Sequence, residues 1–331
     1  MINIIAVNIK TGGGKNLLFE LINQVIKTNA DVVFHLDLSL KQNLSEMKIL
    51  DKCSFVFYKG LMHKLKLFLK IPPRAHYFGN IPPFSIGKKK YTLYFQNYNY
   101  LLSFKYLIKN KLFKLLFQKI YLQLFISNSS SVFVQTRLVA DKFEKVFGFK
   151  PSVLPFFSNI SSNNAVLAKK FDFIYPALST PNKNHIFLFQ SLRELDTILD
   201  KEINIVLTIT DELLRNLLIE INYEFINIEI VNFGEVSQSK IYKLMMQSKV
   251  LVFTSKFESF GLPLIEAFQL GLPIISPRLA YVSEIILTKY SFEADNHFHL
   301  KEMLQQTIED EELCKSHLKI KNNISTIIEK I

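Results

Sequence analysis

The stretch "KVLVFTSKFESFGLPLIEAFQLGLPIIS", residues 249–276, decides the fold because it predicts a strand, a helix and a second strand in succession. Its apolar start predicts a buried strand, and Pro263 suits the first turn of a helix, where a missing N–H costs nothing. Gly271 is typical of a helix end, and Pro273 leads into the next strand. The amino end of this helix therefore lies at the carboxyl end of a buried strand, where its N–H groups and dipole favour an anion such as phosphate.

Glu258 and Glu266 stand eight positions apart in this stretch, on either side of the glycine that precedes the helix. Gly261 lets the backbone approach a ligand closely. A carboxylate on the first turn can accept two hydrogen bonds from a neighbouring ribose diol. These residues alone leave a second interpretation open, in which Glu258 caps the helix and Glu266 stabilises its dipole.

Short apolar runs alternate with segments of helical period along the rest of the chain. The runs that predict strands are 2–8, 31–36, 54–58, 92–96, 131–135, 171–177, 203–210, 226–234, 249–255 and 272–277. A polar segment rich in Ser and Asn, near 157–170, separates two such series and resembles a linker.

This alternation predicts an α/β protein with two Rossmann-like, doubly wound parallel-sheet domains that face a cleft. We expect an N-terminal domain at 1–160 and a C-terminal domain at 161–315. A C-terminal helix is expected at 316–331, as a candidate for packing back on the N-terminal domain.

The two halves of the chain carry opposite net charge. Residues 1–160 contain 23 Lys and Arg against 7 Asp and Glu, whereas residues 161–331 contain 17 against 22. No acidic residue occurs between Asp51 and Asp141, an interval that holds 15 Lys or Arg. A codon bias toward lysine would act on both halves, so we expect the first half to meet an anionic partner. It lacks a recognisable nucleic-acid module, so a nucleic acid is not the expected partner.

Three segments of the first half combine basic and apolar residues: "GLMHKLKLFLKIPPR" (60–74), "GKKK" (87–90) and "FKYLIKNKLFKLLFQKIYLQLFI" (104–126). A helix with lysines on one face and apolar residues on the other can lie in an anionic membrane surface. An ordinary helix that packs its apolar face on the sheet explains the same spacing.

We expect a cytoplasmic protein that is peripheral at the inner face of the plasma membrane. The apolar stretches are interrupted well before the roughly 18 residues of a spanning helix, and the start "MINIIAVNIK" lacks the basic region of a signal peptide. Cys53 and Cys314 lie far apart and form no metal or redox spacing.

The chain resembles the family 4 (group 1) glycosyltransferases, the retaining enzymes with the GT-B fold. The resemblance lies in the Glu-x7-Glu spacing, the core "FGLPLIEA", the flanking "GLPIIS", and an upstream helix that contains Tyr242. Further upstream, "YPALSTPNKNH" (175–185) is similar to the start of that family's donor domain, with Lys183 in the place of its phosphate-binding lysine. The likeness is strong over about 170–290 and loose in the first half.

The resemblance implies transfer of a sugar from a nucleoside diphosphate, UDP or GDP, to a glycan or lipid-linked acceptor. It implies that Glu266 binds the ribose and that Glu258 contacts hydroxyls of the transferred sugar as the catalytic-site carboxylate. The diphosphate would be held by Lys183 and by the backbone of Ser259, Phe260, Gly261 and Leu262. The nucleotide base would contact the backbone at Val236. No cofactor and no metal ion are implied, and the sequence has no Asp-x-Asp motif.

Two positions depart from the family pattern. Ala177 stands where an arginine is common, and Gln96 and Asn97 stand where a first-domain histidine near the sugar is expected. Both Gln96 and Asn97 can hydrogen-bond a sugar hydroxyl, but neither is a base, and we place them on the acceptor side.

The loop "TGGGKN" (11–16) opens a helix after the first strand. Its Gly12, Gly13 and Gly14 suit a backbone cradle for the donor phosphate or for the acceptor, although a tight turn explains them equally well.

The leading hypothesis is a retaining glycosyltransferase that extends a bacterial surface polysaccharide or lipopolysaccharide. A nucleotide-sugar epimerase or a phosphorylase would keep the fold with other chemistry. A membrane- or polyanion-binding protein with a relic donor site is a third hypothesis from a different class.

Overall fold

The computed structural model describes residues 1–28, 30–44, 53–84, 91–160 and 167–331; the "GKKK" segment lies outside these ranges. The chain divides into two compact units. Unit 1 contains Met1–Ser158 together with Lys321–Ile331, and unit 2 contains Asn159–Ile320. Each unit is a parallel sheet with helices packed on it, as the alternation of strands and helices predicts.

Unit 1 has a seven-stranded sheet in its described part, in the order β3-β2-β1-β4-β5-β6-β7, with every neighbouring pair parallel. Its strands are β1 (Ile2–Ala6), β2 (Val32–Asp37), β3 (Cys53–Tyr58), β4 (Ala75–Phe78), β5 (Tyr91–Tyr94), β6 (Ser131–Val134) and β7 (Ser152–Val153). Its helices are α1 (Gly12–Ile26), α2 (Lys41–Leu44), α3 (Gly60–Leu69), α4 (Phe104–Lys109), α5 (Phe113–Phe125), α6 (Arg137–Phe147) and the C-terminal α13 (Ile324–Lys330).

Unit 2 has a six-stranded parallel sheet in the order β10-β9-β8-β11-β12-β14 and a small antiparallel pair, β13 with β15. Its strands are β8 (Phe171–Tyr175), β9 (Ile203–Leu207), β10 (Ile228–Asn232), β11 (Ser248–Val252), β12 (Ile274–Pro277), β13 (Ile286–Leu287), β14 (Tyr290–Phe292) and β15 (His317–Leu318). Its helices are α7 (His185–Asp196), α8 (Glu212–Glu224), α9 (Gln238–Met246), α10 (Leu262–Gln269), α11 (Ala280–Ile285) and α12 (His297–Glu309).

Both sheets reverse their strand order next to the first strand of the unit. In unit 2 the reversal lies between β8 and β11, and in unit 1 between β1 and β4. At such a switch point the following loops run to opposite sides and leave a crevice at the carboxyl ends of the strands. The fold therefore defines one candidate ligand site in each unit.

Side chains of neighbouring strands fix the helices of unit 1 on the two faces of its sheet. Tyr77 donates a hydrogen bond to the carbonyl of Leu67 in α3 (3.0 Å), and Tyr91 donates to that of Phe125 in α5 (3.3 Å). On the opposite face, a ring nitrogen of His76 lies 2.7 Å from the backbone oxygen of Ile331. Thus α3 and α5 share one face, and the C-terminal segment covers the other.

The described residues form five strands that were not expected, β4, β7, β13, β14 and β15, and the C-terminal tail is only partly helical. The strand β4 was not expected, because "AHYF" is short and contains a histidine, yet it is buried and pairs with β1 and β5. The tail 316–331, expected to be one helix, begins instead with β15 in unit 2, and only Ile324–Lys330 are helical. The helix α13 belongs to unit 1, where Ile327 is buried.

Helix α5 does not divide into one basic face and one apolar face. Leu122 on the inner side is buried, but Phe117 and Leu124 on the outer side are exposed, so both sides are apolar. The lysine that lies on the inner side, Lys119, is buried and donates to the carbonyl of Leu102. Tertiary contacts, rather than the simple segregation of charge, decide which side faces the sheet.

Candidate functional site

In unit 2 the loop that follows β11 lies at the switch point and leads into α10. Gly261 precedes α10 with φ of 68°, and α10 begins without a side-chain cap. An added Cβ at Gly261 would lie 3.2 Å from the Leu264 side chain, so both conformation and space favour glycine. The first N–H groups of a helix lack intrahelical partners. The predicted diphosphate segment, Ser259 to Leu262, thus runs into the amino end of a helix.

Lys183 and Glu258 form an ion pair across this switch point. Lys183 ends a short 3-10 turn, Pro181–Lys183, which follows β8, and Glu258 follows β11. Both side chains are largely shielded from solvent. The amide of Asn182 adds a long contact to the Glu258 carboxylate (3.5 Å) and a hydrogen bond to the carbonyl of Phe257 (3.2 Å). Two residues 75 positions apart in sequence are therefore neighbours in unit 2.

The backbone of Lys183 is held in place by two buried hydroxyls. Tyr175 donates to the Lys183 carbonyl at 2.7 Å, and Thr254 donates to the same oxygen at 2.9 Å. These donors lie at the carboxyl ends of β8 and β11, the two strands that flank the switch point. The backbone position from which the lysine side chain extends is thus fixed by the centre of the sheet.

Glu266 is buried in α10 and faces α9. Its Oε1 accepts a hydrogen bond from the Gln238 amide (2.8 Å) and a longer one from the Tyr242 hydroxyl (3.3 Å). Tyr242 belongs to the motif identified in the sequence, whereas Gln238 was not singled out there. Gln238 and Tyr242 are four residues apart on α9 and therefore lie on the same side of the helix, so both side chains can reach Glu266.

The environment of Glu266 changes its ionisation. Burial raises the pKa of the Glu266 carboxyl to about 7, against the opposing effect of the hydrogen bonds from Tyr242 and Gln238. The carboxyl of the ligand-free unit therefore gains or loses its proton close to neutral pH. A ligand that donates hydrogen bonds to it would favour the ionised form.

We expect Glu266 to make unit 2 less stable as the pH rises. The folded-state pKa exceeds that of the unfolded chain, so the contribution is fully present below about pH 4.5 and is lost as the pH rises through about 7. Glu266→Gln, which cannot ionise, should therefore be more stable than the natural chain at pH 8 by about 3 kcal/mol, with little difference at pH 4.5. Thermal unfolding at both pH values measures this. The same change at the exposed Glu302 of α12 serves as control, and an equal gain at both pH values for Glu266→Gln would contradict the prediction.

The predicted base-binding residue, Val236, lies in the loop between β10 and α9. The Asn232 side chain shapes this loop by accepting from the N–H groups of Ile209 (2.8 Å) and Gly234 (3.3 Å). Val236 is half-buried and stands two residues before Gln238, whose amide holds Glu266. The loop and the predicted ribose-binding acid are therefore adjacent in unit 2.

The switch point of unit 1 brings the glycine loop and Gln96 together. Gly12 begins α1 with φ of 66°, and a Cβ added at Gly14 would lie 3.2 Å from the Gln96 Oε1. Asn80, in the left-handed region at φ 76°, accepts from the N–H groups of Gln96 (2.5 Å) and Asn97 (2.8 Å). The loop "FGNIPPF" (78–84) thus fixes the backbone of both predicted acceptor-side residues.

A second glutamine at this edge was missed in the sequence. Tyr94 of β5 is paired with Phe133 of β6. Gln96 and Gln135 each lie two residues after their member of this pair, so they follow neighbouring strands at the same level. The side-chain Nε2 atoms of both are buried without a hydrogen-bond partner among the described residues. Buried amide groups are nearly always paired in folded proteins. Two neighbouring donors at a switch point are therefore suited to ligand oxygens. The signal was a polar residue directly after the buried run "SVFV".

Residues 157–324 match the family model described as glycosyl transferases group 1, which covers half of the chain. The chain belongs to the group 1 glycosyltransferases. Among curated protein sequences none matches the chain. The family match includes every residue assigned above to the donor site.

Solved glycosyltransferases share the fold of this group 1 member over nearly its full length. WaaG, described as involved in lipopolysaccharide biosynthesis, is 12% identical with a TM-score of 0.63, covering 94% of this chain and 91% of its own. HepE of Anabaena, solved with UDP and glucose, is 14% identical with a TM-score of 0.66, covering 100% and 95%. A glycosyltransferase from Rickettsia africae is 14% identical with a TM-score of 0.64, covering 93% and 88%. The fold class is therefore GT-B, as expected.

The described residues contain neither a metal-binding cluster nor a membrane-spanning helix. No group of three or more His, Cys, Asp or Glu side chains in that part of the chain is placed to hold a metal ion. Across the same ranges no helix is both long and apolar enough to cross a membrane.

Proposed function

We propose that the protein is a retaining glycosyltransferase that uses a nucleoside-diphosphate sugar, with UDP or GDP as the nucleotide. The observation that carries the proposal is the arrangement at the switch point of unit 2. There the loops after β8 and β11 hold a lysine–glutamate pair, and the helix that follows β11 has an uncapped amino end and a buried carboxyl with a pKa near neutral. This set matches the parts of a sugar nucleotide: phosphates, sugar hydroxyls and ribose.

The donor is held by residues of unit 2 in this proposal. The Lys183 ammonium and the backbone of Ser259 to Leu262 bind the diphosphate, Glu266 accepts from the ribose diol, and Val236 meets the base. Glu258 exchanges its lysine partner for hydroxyls of the transferred sugar. Since Lys183 already lies beside Glu258, a small movement of one side chain releases both groups for the ligand.

The reaction breaks the bond between the anomeric carbon and the diphosphate oxygen, and the bonding electrons remain on the diphosphate. The acceptor hydroxyl oxygen attacks the anomeric carbon from the same face, and its proton passes to the departing phosphate oxygen. Negative charge develops on the leaving group, so Lys183 and the amino end of α10 lower the barrier. No side-chain base and no metal ion take part in this scheme.

The acceptor is proposed to bind at the switch point of unit 1. The cradle of Gly12, Gly13 and Gly14 supplies backbone N–H groups, and the amides of Gln96, Asn97 and Gln135 can hydrogen-bond hydroxyls. Glycan or lipid-linked acceptors fit such polar, uncharged donors. The description of WaaG as involved in lipopolysaccharide biosynthesis supports a role in surface polysaccharide or lipopolysaccharide synthesis, and the UDP and glucose bound to HepE support a nucleotide-sugar donor. We place this role at the inner face of the plasma membrane.

Nucleotide binding and turnover test the proposal. A panel of UDP- and GDP-sugars should contain a donor that raises the unfolding temperature, because a ligand at 100 times its Kd stabilises the folded state by about 2.7 kcal/mol. With that donor and a lipid-linked or glycan acceptor, nucleoside diphosphate should be released and the anomeric configuration retained. Release of a free epimerised sugar without acceptor would indicate an epimerase, and sugar 1-phosphate formation a phosphorylase. Failure of every nucleotide to bind would contradict the proposal and favour a relic site.

A further inference from the structure

The outer side of α5 carries an unbroken apolar stripe. Its exposed residues are spaced i, i+4, i+7 and i+11 and therefore lie along one side of the helix: Phe113, Phe117, Ile120 and Leu124. Phe117 is 69% exposed and Leu124 is 63% exposed. Scattered apolar residues on a surface need no explanation, but a continuous row on a helix whose inner side is also apolar does.

The helix α3 repeats this pattern. Met62, Leu65 and Leu69 are exposed at spacings of three and four residues, and Met62 is 74% exposed. The inner side of the same helix contains the buried Leu67. Two helices of unit 1 thus present apolar rows to the outside while packing on the sheet with other residues.

These two helices lie on the same face of the sheet and are linked through residues that lie between them. Their anchoring tyrosines, Tyr77 and Tyr91, have ring centroids 5.4 Å apart. Phe84 connects the helices, because its N–H donates to the Phe68 carbonyl of α3 (2.8 Å) and its ring lies 4.9 Å from that of Phe125 of α5. Phe84 is itself exposed. The two apolar rows and Phe84 therefore belong to one side of unit 1.

Exposed lysines surround these rows, and the sequence offers no acidic residue between Asp51 and Asp141 to neutralise them. The exposed lysines of α3, α4, α5 and their ends are Lys59, Lys66, Lys70, Lys105, Lys109, Lys111 and Lys114. Apolar side chains that enter the acyl boundary, flanked by lysines that meet anionic head groups, are the features of a helix lying in a membrane surface.

We propose that this side of unit 1, formed by α3, α4, α5 and Phe84 and called here the basic apolar face, docks on the surface of an anionic lipid bilayer. The apolar rows enter the boundary between head groups and acyl chains, and the lysines contact lipid phosphates. This inference names a partner for the proposed enzyme, but it rests on unit 1 alone and not on the donor site of unit 2.

The helix α8 of unit 2 provides an internal comparison. It also exposes large apolar residues, with Leu213 80% and Tyr223 87% exposed. Its neighbours, however, include the acidic Glu212, Glu220 and Glu224. An anionic surface repels such a helix, so exposure alone does not predict docking, and charge distinguishes the two surfaces.

Binding of the full chain to vesicles tests the proposal. The chain should sediment with vesicles of phosphatidylcholine containing about 30% phosphatidylglycerol and much less with phosphatidylcholine alone, in a salt-dependent manner. Phe117→Ser combined with Leu124→Ser should lower the partition coefficient at least about tenfold, because both apolar side chains are lost from the interface. The matched control, Leu213→Ser with Tyr223→Ser, should leave it unchanged.

A charge variant completes the test. The preference for anionic vesicles should be lost in a variant that combines Lys66→Gln, Lys70→Gln, Lys105→Gln and Lys109→Gln. The proposal would be overturned if the natural chain bound both vesicle types equally or bound neither. It would also be overturned if the Phe117 and Leu124 variant bound as well as the natural chain. A dimer in solution that this variant dissociates, without vesicle binding, would instead assign the face to a second copy of the chain. Nucleotide binding, measured on the same variants, should stay unchanged, so failure here is distinguishable from failure of the proposed reaction.

Discussion

Replacement of Lys183 with alanine is expected to lower kcat/KM about 10²- to 10³-fold, the size seen when a preorganised donor to a developing negative charge is removed. The physical reason is that charge moves onto the diphosphate as the glycosidic bond breaks. Lys183 is the cation that the switch point of unit 2 brings beside Glu258, and its backbone is fixed by Tyr175 and Thr254. Turnover with the donor identified by the nucleotide panel measures the effect.

Lys249→Ala is the matched control for this prediction. Lys249 also pairs with a carboxylate of unit 2, Asp172, at 2.8 Å, but the pair is on an exposed surface. Its loss should leave kcat/KM unchanged, since exposed ion pairs contribute little. A loss of activity equal to that of Lys183→Ala would indicate general destabilisation instead of a donor contact.

Glu258→Gln separates the two roles of the ion pair. It removes the carboxylate that Lys183 contacts in the free protein, so nucleoside diphosphate should bind as tightly as before or more tightly. Turnover should nevertheless fall, because the proposed contact of Glu258 with the sugar hydroxyls is weakened. Weaker binding of the nucleoside diphosphate itself would show that Glu258 supports the phosphate site instead of competing for its lysine.

Strong local signals allowed most of the fold to be predicted from the sequence. The segment that contains β11 and α10 has a buried run, a proline at the first helical turn and a glycine at the end, and each sets local conformation. The strand β4 lacks such signals: its four residues include His76, which is buried because partners on both sides satisfy its ring nitrogens. Only the completed sheet makes this sequence a strand.

The residues of the candidate site could be proposed from the sequence, but the contacts between them could not. Glu258, Glu266 and Lys183 stand in recognisable motifs, whereas the ion pair between Lys183 and Glu258 depends on the order of strands in the sheet. Gln135 carried no motif, and its position beside Gln96 follows from the pairing of β5 and β6. For α5 the sequence left open which side faces the sheet, because a helix that is apolar on both sides does not show which side is buried.

Replacement of Glu266 with alanine is expected to weaken donor binding by about 1.5–3 kcal/mol, the range for a buried hydrogen bond to a charged group. The carboxylate is proposed to accept from the ribose diol, and no other acid of the described α10 can replace it. Calorimetry with the nucleoside diphosphate and with the whole donor measures the loss. Tyr242→Phe is the control: it removes the longer of the two observed hydrogen bonds to Glu266 but keeps the carboxylate, so its effect should be small.

The ionisation of Glu266 gives this prediction a second, independent readout. The pKa of about 7 in the ligand-free protein means that part of the population is protonated at neutral pH. Two hydroxyls that donate to the carboxylate favour its ionised form, so donor binding should release protons, and the measured enthalpy should depend on the ionisation enthalpy of the buffer. Glu266→Ala should abolish this dependence and lower the affinity by the amount given above. If affinity and proton release both persist in Glu266→Ala, the ribose is held elsewhere and the buried carboxyl serves the packing of α9 on α10.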